Sequence, residues 1–409
     1  MKKLMYIIVI LLLFSGCSPI FFPLPTEIDH LELVRIIALD KSDKNPDEVI
    51  ITIMFEKTTS DSSSGGGTAG GGTGGGETKG LKGTVLTAEG KTFSSAERNF
   101  QTYTDKQIFL GHADFCLIGE EAAKEDITKY LDFISRDHDV LKSSKVYIVA
   151  GKASDLVVKA NSEEYFLPDR LKSMSENVKF LSVSRSINLF DCMSSLDKKN
   201  SSLVVPTLKL IERKEDILEE SKQRKQDIEL VGYSIINHFK LVSFIERPIS
   251  RGYNIISNSG VSGIIDVKDS SGMAVALEIN TVNTKITPKI EGGQLVGVLI
   301  ITELNTSINE IQSRENVFKK DILSFMEQQA SDIIKSEMEA VVKAAQQNNA
   351  DILSLSESVN MNHPIIWNRI KDNWDSIFPT LKIEVIVNSK IARTYDMREP
   401  SGSMEGEHG

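Results

Sequence analysis

Hydrophobic positions along this chain fall into strand-length runs and helix-spaced stripes, separated by polar turns. Leu31 to Leu39 and Val49 to Phe55 are nearly unbroken apolar runs joined by the turn Asn45-Pro46-Asp47, a strand–turn–strand pattern. Gly83 to Ala88 predicts another strand, and Phe93 to Tyr103 a helix with serines near its start. Ala113 to Ile118 predicts a strand. Glu120 to Ser135 carries Ile127, Tyr130, Leu131 and Ile134 at helical spacing. Lys145 to Ala150 then reads as a strand, Ala153 to Lys159 as a short helix and Ser184 to Ser195 as another.

From Leu203-Val204-Val205-Pro206 onward the pattern becomes strand-rich, so a domain boundary is expected near residue 200, between regions 27–200 and 201–395. Ile228 to Asn237 and Lys240 to Ile245 predict a hairpin. Three more strands follow within 228–303, with Gly272 and Gly292-Gly293 in their turns. A long amphipathic helix is expected over 307–345, with the stripe Phe318, Ile322, Phe325, Met326, Ile333, Ile334, Met338, Val341 and Val342. Pro364, suited to a first helical position, opens a helix over 364–378 with Trp367, Ile370, Trp374 and Ile377 on one face. A closing strand is expected over 381–387. The order predicts an α+β protein of several mixed α/β domains with antiparallel or mixed sheets.

Three stretches lie outside this pattern. Residues 60–76 are almost pure Ser, Gly and Thr, which cannot bury enough apolar surface to order themselves and are expected to form a flexible loop inside the N-terminal region. The polar tail 396–409 is expected to be disordered. At the N-terminus, Met1-Lys2-Lys3 precedes the apolar run Leu4 to Phe14, then Ser15-Gly16-Cys17. That run is shorter than the roughly 20 residues a membrane-crossing helix needs, and reads as an export signal over 1–16.

The cysteine at the junction resembles a bacterial lipobox. The resemblance implies a diacylglyceryl group and an N-acyl chain on Cys17, and two or more acyl chains hold a protein at a membrane where one does not. The prolines of segment 17–26 (Pro19, Pro23 and Pro25) predict a stiff membrane-proximal spacer.

Composition narrows the partners. A chain of 409 residues with 40% hydrophobic and 25% charged residues is ordinary globular protein, long enough for more than one core. Its net charge of −10 and lack of a long basic run argue against nucleic acid, and against anionic lipid headgroups as the main membrane attraction. Three cysteines are too few for a disulfide framework. Cys116 and Cys192 sit in apolar runs and read as buried free thiols, with a disulfide between them as the alternative.

Reactive chemistry is not expected. Gly90-Lys91-Thr92 imitates the end of a phosphate-binding loop, but Val85 stands where its first glycine is required. No Gly-x-Ser-x-Gly motif occurs, and the six histidines show no ligand spacing. The chain is therefore read as a non-enzyme without metal or cofactor. Gly111, Gly119 and Gly151 flank strands and suit tight turns. Arg136 is expected to pair with Glu120 or Asp155. Trp367 and Trp374 serve as core anchors or, alternatively, as docking residues.

Motifs then align with a family. Gly111-His112-Ala113-Asp114-Phe115-Cys116-Leu117-Ile118-Gly119-Glu120-Glu121-Ala122-Ala123 is followed by Tyr130-Leu131-Asp132-Phe133-Ile134-Ser135-Arg136-Asp137 and by Val146 through Asp155. Pro364-(x2)-Trp367-(x6)-Trp374-(x3)-Phe378 follows in the second half. With the lipobox, this resembles the Ger(x)C family, lipoprotein C subunits of spore germinant receptors of the GerAC, GerBC and GerKC kind. The resemblance implies three packed domains, a lipidated (palmitate-type) membrane anchor, and a non-enzymatic role in spore germination with membrane-embedded A and B subunits. It implies a position on the extracytoplasmic face of the spore inner membrane. It also makes Gly111, Glu120, Arg136, Gly151, Asp155, Trp367 and Trp374 candidate docking or family-motif residues.

The departures from the family pattern imply a divergent member. Glu27-Ile28-Asp29-His30 stands where the family usually has a Trp-Asp-x-Arg-Glu type motif, and Asp351 to Glu357 carries serines where glycines are common. The competing reading is a lipid-anchored extracytoplasmic solute-binding protein, which would show two larger α/β lobes.

Overall fold

The computed structural model describes residues 28–56, 83–161, 166–177, 182–198, 202–212, 226–259, 262–312 and 316–392. Cys17 with its signal and spacer, the Gly/Ser-rich stretch 60–76 and the tail 396–409 lie outside these residues.

Strand β1 (Leu31–Lys41) pairs antiparallel with β2 (Val49–Glu56), and β2 with β3 (Gly83–Gly90). Helix α1 (Phe93–Phe100) follows, its first turn closed by Thr92, whose side chain accepts from the Ser95 N–H while Ser95 caps in return. The chain continues through β4 (Gln107–Phe109), β5 (Phe115–Gly119), α2 (Glu120–Arg136), β6 (Lys145–Ala150) and α3 (Ala153–Ala160). Next come α4 (Leu167–Asn177), β7 (Ile187–Asn188) and α5 (Leu189–Leu196). The helix expected from Ser184 thus starts later, at Leu189, because Ile187 and Asn188 pair with β6 and the Asn188 side chain caps α5 through the Asp191 N–H.

Strands β8 (Leu203–Glu212), β9 (Gln226–Asn237) and β10 (Lys240–Glu246) complete a ten-stranded mixed sheet in the order β10-β9-β8-β6-β5-β1-β2-β3, with β4 and β7 at the side. Its centre, β1, β5, β6 and β8, is parallel. Alternation along β1 shows why its sequence reads as continuous apolar: Ile37 and Leu39 face one core with α1, α2 and α5, while Ile36 and Ala38 face another with α3 and α4. A strand buried on both faces has no polar side to display.

The boundary expected near residue 200 falls inside this sheet, because β8 hydrogen-bonds to β6 across it. The second core also draws Val204, Tyr233, Ile235 and Ile245 from the large sheet.

A helix absent from the expectations, α6 (Ile249–Ile256), leads to the second sheet, β11 (Ile264–Lys268), β12 (Ala274–Glu291), β13 (Gln294–Ile311) and β14 (Ile383–Ile391). The first three run antiparallel; β14 lies parallel to β13. Helix α7 (Lys320–Gln347) covers one face with Ile322, Met326, Ala330, Ile334, Met338, Val341 and Ala345 buried. It starts well after residue 307, because Ser307 to Ile311 pair with β12 as strand. Phe325, assigned to the apolar stripe, is exposed. Gly252 lets α6 approach closely: a β-carbon there would lie 2.6 Å from the Glu337 carbonyl oxygen. Arg251 and Glu337, both largely buried, pair across this contact.

The Trp segment is broken. It comprises α8 (Leu355–Asn362), α9 (Pro364–Ile370), a 3-10 turn (Lys371–Asn373) and α10 (Trp374–Ile377), not one helix over 364–378. Cys116 and Cys192 are buried free thiols, both pushed up to about 12 by loss of solvent.

Candidate functional site

The C-terminal ends of the parallel strands β1, β5 and β6 meet at the starts of α2 and α3, the place where open α/β sheets tend to hold ligands. Here that place is filled from within. Asp40, near the end of β1 and 2% exposed, accepts the first N–H groups of α3, from Ala153 at 2.9 Å and Ser154 at 2.7 Å. Its carboxylate occupies the position an anion would take at that helix N-terminus. Burial pushes the Asp40 carboxyl up, and the two N–H donors and nearby Lys152 act in the opposite direction.

Glu120 and Gly151 are brought together beside it. The Glu120 N–H donates to the Gly151 carbonyl at 2.8 Å, and the Glu120 carboxylate accepts the Gly151 N–H at 3.0 Å. Gly151 turns with φ of 107°, a conformation only glycine adopts readily. Gly119 has an ordinary backbone and is required for space instead, since Asp40 packs where its β-carbon would be. Gly111 is likewise a packing position, against the Phe109 ring.

The remaining N-terminal candidates lie elsewhere. Arg136 pairs with Asp132 at 2.7 Å, not with Glu120 or Asp155. It ends the helical segment that Glu120 begins, beyond a break at Asp126, whose backbone is extended (φ −170°, ψ 109°). Asp155 pairs with Lys159 one turn on. Asp137, His138 and Asp139 bring potential ligand atoms within 4.8 Å of one another, a grouping that the run Asp-His-Asp carried in plain view. It is solvent-facing, and the Asp139 N–H already donates to Asp137 at 2.8 Å as a local turn.

In the second half, Asp351 is the organising group. It is 3% exposed and accepts from the Leu355 N–H (2.9 Å), the Ser356 N–H (2.8 Å) and the Trp374 indole N–H (3.2 Å). One carboxylate thus closes the start of α8 and fixes the Trp374 ring, which is buried at 1% exposure. Trp367 packs edge-on against it with ring centroids 5.3 Å apart, and the Phe378 ring lies 6.0 Å from it, tilted by 34°. Both tryptophans are therefore structural anchors, Trp367 only partly buried. Sequence reasoning found the two tryptophans but not Asp351 or Asp40. For Asp40 the hint was an acidic residue at the end of a predicted strand, whereas Asp351 precedes a helix, α8, that the sequence reading did not expect.

Two domain families match in tandem: the spore germination protein N-terminal domain over residues 25–210, and the spore germination B3/GerAC-like C-terminal domain over 231–395. The chain belongs to the Ger(x)C family.

It is 21% identical over 379 residues to spore germination protein KC of Bacillus subtilis (strain 168), covering 90% of each chain. It is 22% identical over 316 residues to spore germination protein B3 of the same organism, covering 75% of this chain and 79% of that one. The crystal structure of the GerBC protein superposes with a TM-score of 0.53 at 19% identity, over 87% of this chain and 96% of the other, and so shares the fold.

Against the Ger(x)C pattern, one departure now has a physical meaning. Ser354, in the segment where the family commonly has glycines, adopts φ 54° and ψ 35° just before α8. The backbone there needs a left-handed turn that a side chain resists.

Proposed function

We propose that this chain is the lipid-anchored, non-enzymatic C subunit of a nutrient germinant receptor. Its folded body is held at the extracytoplasmic face of the spore inner membrane, beside membrane-embedded A and B subunits. The observation that carries the reading is the tandem family match across residues 25–210 and 231–395, in relatives named as spore germination proteins. The junction Ser15-Gly16-Cys17 supplies the anchor. Among the described residues no helix is long and apolar enough to cross a membrane, and on this reading the acyl chains on Cys17 attach the body. The filling of the strand-end position by Asp40 leaves the N-terminal sheet as a scaffold for subunit contacts.

Replacing Cys17 by Ala tests this directly. The variant should leave the membrane fraction of dormant spores, and nutrient-triggered germination should fall. If the variant stays in the membrane fraction and the spores germinate at the wild-type rate, the anchored-subunit reading is wrong.

A further inference from the structure

The edge of a β-sheet carries a row of N–H and C=O groups that invites another strand, and this chain closes two of its edges with its own side chains. On β3 the carbonyls of Gly83, Thr87 and Glu89 accept from Asn161 (3.0 Å), Tyr103 (2.9 Å) and Asn99 (2.8 Å). On β11 the Gln329 amide bonds both the N–H and the C=O of Lys268, and Arg251 donates to the Ile264 carbonyl. The other edge of that sheet is β14, which pairs on one side only, with β13. Its far end is closed in the same way. The Ser389 N–H donates to the Ser331 hydroxyl and the Ile391 N–H to the Glu327 carboxylate, both from α7 at 2.9 Å.

The near end of β14 is left open. Backbone groups alternate sides along a strand, so Ile383, Val385 and Val387 present theirs on the same outer side as Ser389 and Ile391, in a register without shifts. Among the described residues no side chain hydrogen-bonds to these three backbones. Beside them α7 leaves a groove of about 410 Å³, lined by Ile383, Val385, Pro379 and, from the helix, Val342 and Lys343. Gln346 closes one end of it, its amide donating to the Phe378 and Leu381 carbonyls at 3.0 and 2.8 Å. An open strand edge beside a helix, with apolar walls, is the shape that takes an extended peptide as an added strand.

Charge selects the peptide. Glu339 in the groove pairs with Lys335 at 3.8 Å, and Glu384 on β14 is held by Lys289 at 2.7 Å. Lys343 on the rim and Lys382 beside Ile383 are exposed, and among the described residues they form no ion pair. The unmatched charge around the open edge is therefore positive.

We infer that the groove between α7 and residues 383–387 takes an extended acidic segment of another protein as a fifth strand of the second sheet, its backbone paired with Ile383, Val385 and Val387 and its carboxylates facing Lys343 and Lys382. This goes beyond the anchored-subunit role, and its success or failure leaves that role untouched.

Full-length protein in a non-ionic detergent is titrated into three short fluorescein-labelled peptides, and anisotropy is read. One is made of valine and glutamate, one of valine and lysine, and the third repeats the first with all its amides N-methylated, which removes the donors that strand pairing needs. The valine–glutamate peptide should bind saturably and the two controls should not. Reversing both lysines, Lys343→Glu with Lys382→Glu, changes two exposed positions and should weaken binding about fivefold or more. Hydrogen exchange across residues 383–387 should slow when the valine–glutamate peptide is bound. No saturable binding, equal binding of either control, a titration unchanged in the double variant, or exchange unaltered by the peptide would each overturn the inference. So would slow exchange in the free protein that becomes fast on ending the chain at residue 392 or on dilution, which would assign the groove to the chain's own tail or to a second copy.

Discussion

Gly119 and Asp40 are packed so closely that a β-carbon on residue 119 would lie 2.0 Å from the Asp40 Oδ1. The contact lets a carboxylate from the end of β1 pass over the end of β5 and reach the start of α3, where it accepts from Ala153 and Ser154. Asp351 does the same for α8 while also holding the Trp374 indole. In both halves a helix start is capped by a buried acid from outside the helix. Each cap ties an element to its sheet or cluster as well as satisfying free N–H groups.

Gly119→Ala should therefore destabilise the protein by about 2–4 kcal/mol, since the methyl must displace Asp40 and leave buried N–H groups without an acceptor. Urea unfolding followed by circular dichroism measures this. A loss below about 0.5 kcal/mol, the range of ordinary surface substitutions, would mean that Asp40 relocates without cost.

Asp351 gives stability a pH dependence of definite sign. Desolvation raises its folded-state pKa above the ordinary value of 3.8, outweighing the Ser356 and Leu355 N–H groups and the Trp374 indole that favour the charge. A raised acid binds its proton more tightly when folded, so its contribution is fully present below pH 3.8 and is lost as pH climbs through the raised folded value. Compared with Asp351→Asn, whose amide does not titrate, the wild type should lose relative stability as the pH rises through that window. Unfolding midpoints of the two proteins across a pH series provide the check, and a difference that grows in the opposite direction would show that the hydrogen bonds dominate.

Ser354→Gly should stabilise the protein by about 1 kcal/mol. The residue is exposed, makes no side-chain cap hydrogen bond, and sits at φ 54°, where a β-carbon is disfavoured by about that amount or more. Thermal unfolding should show a rise of a few degrees. A fall would mean that the serine hydroxyl makes a compensating interaction in solution.

Much of the architecture was readable before the tertiary structure. β1, β2, β6, α2, α3 and the β9–β10 hairpin appear within a few residues of the positions expected from apolar runs and helical spacing. Helix α6 contains Gly252, a poor helix former, and is held by its packing on α7. The start of α7 was misplaced because Ser307 to Ile311 suit a strand or a helix equally in isolation. Arg136 pairs with Asp132 rather than with Glu120 or Asp155, and the four-residue spacing on a predicted helix already favoured that partner.

Sequence alone determined which segments are apolar, the periods that make them strands or helices, and the ordered motifs that carry family membership. Those are properties of neighbouring residues, and local physics is enough to set them. The tertiary structure decided that one sheet continues through residue 200, that Asp40 caps a distant helix, and that Asp351, a local cap of α8, also holds the Trp374 indole. Each of these joins residues far apart in the chain: Asp40 is 113 positions from Ala153, and Asp351 is 23 from Trp374. Such contacts depend on how the elements pack in three dimensions, and no local pattern encodes that packing.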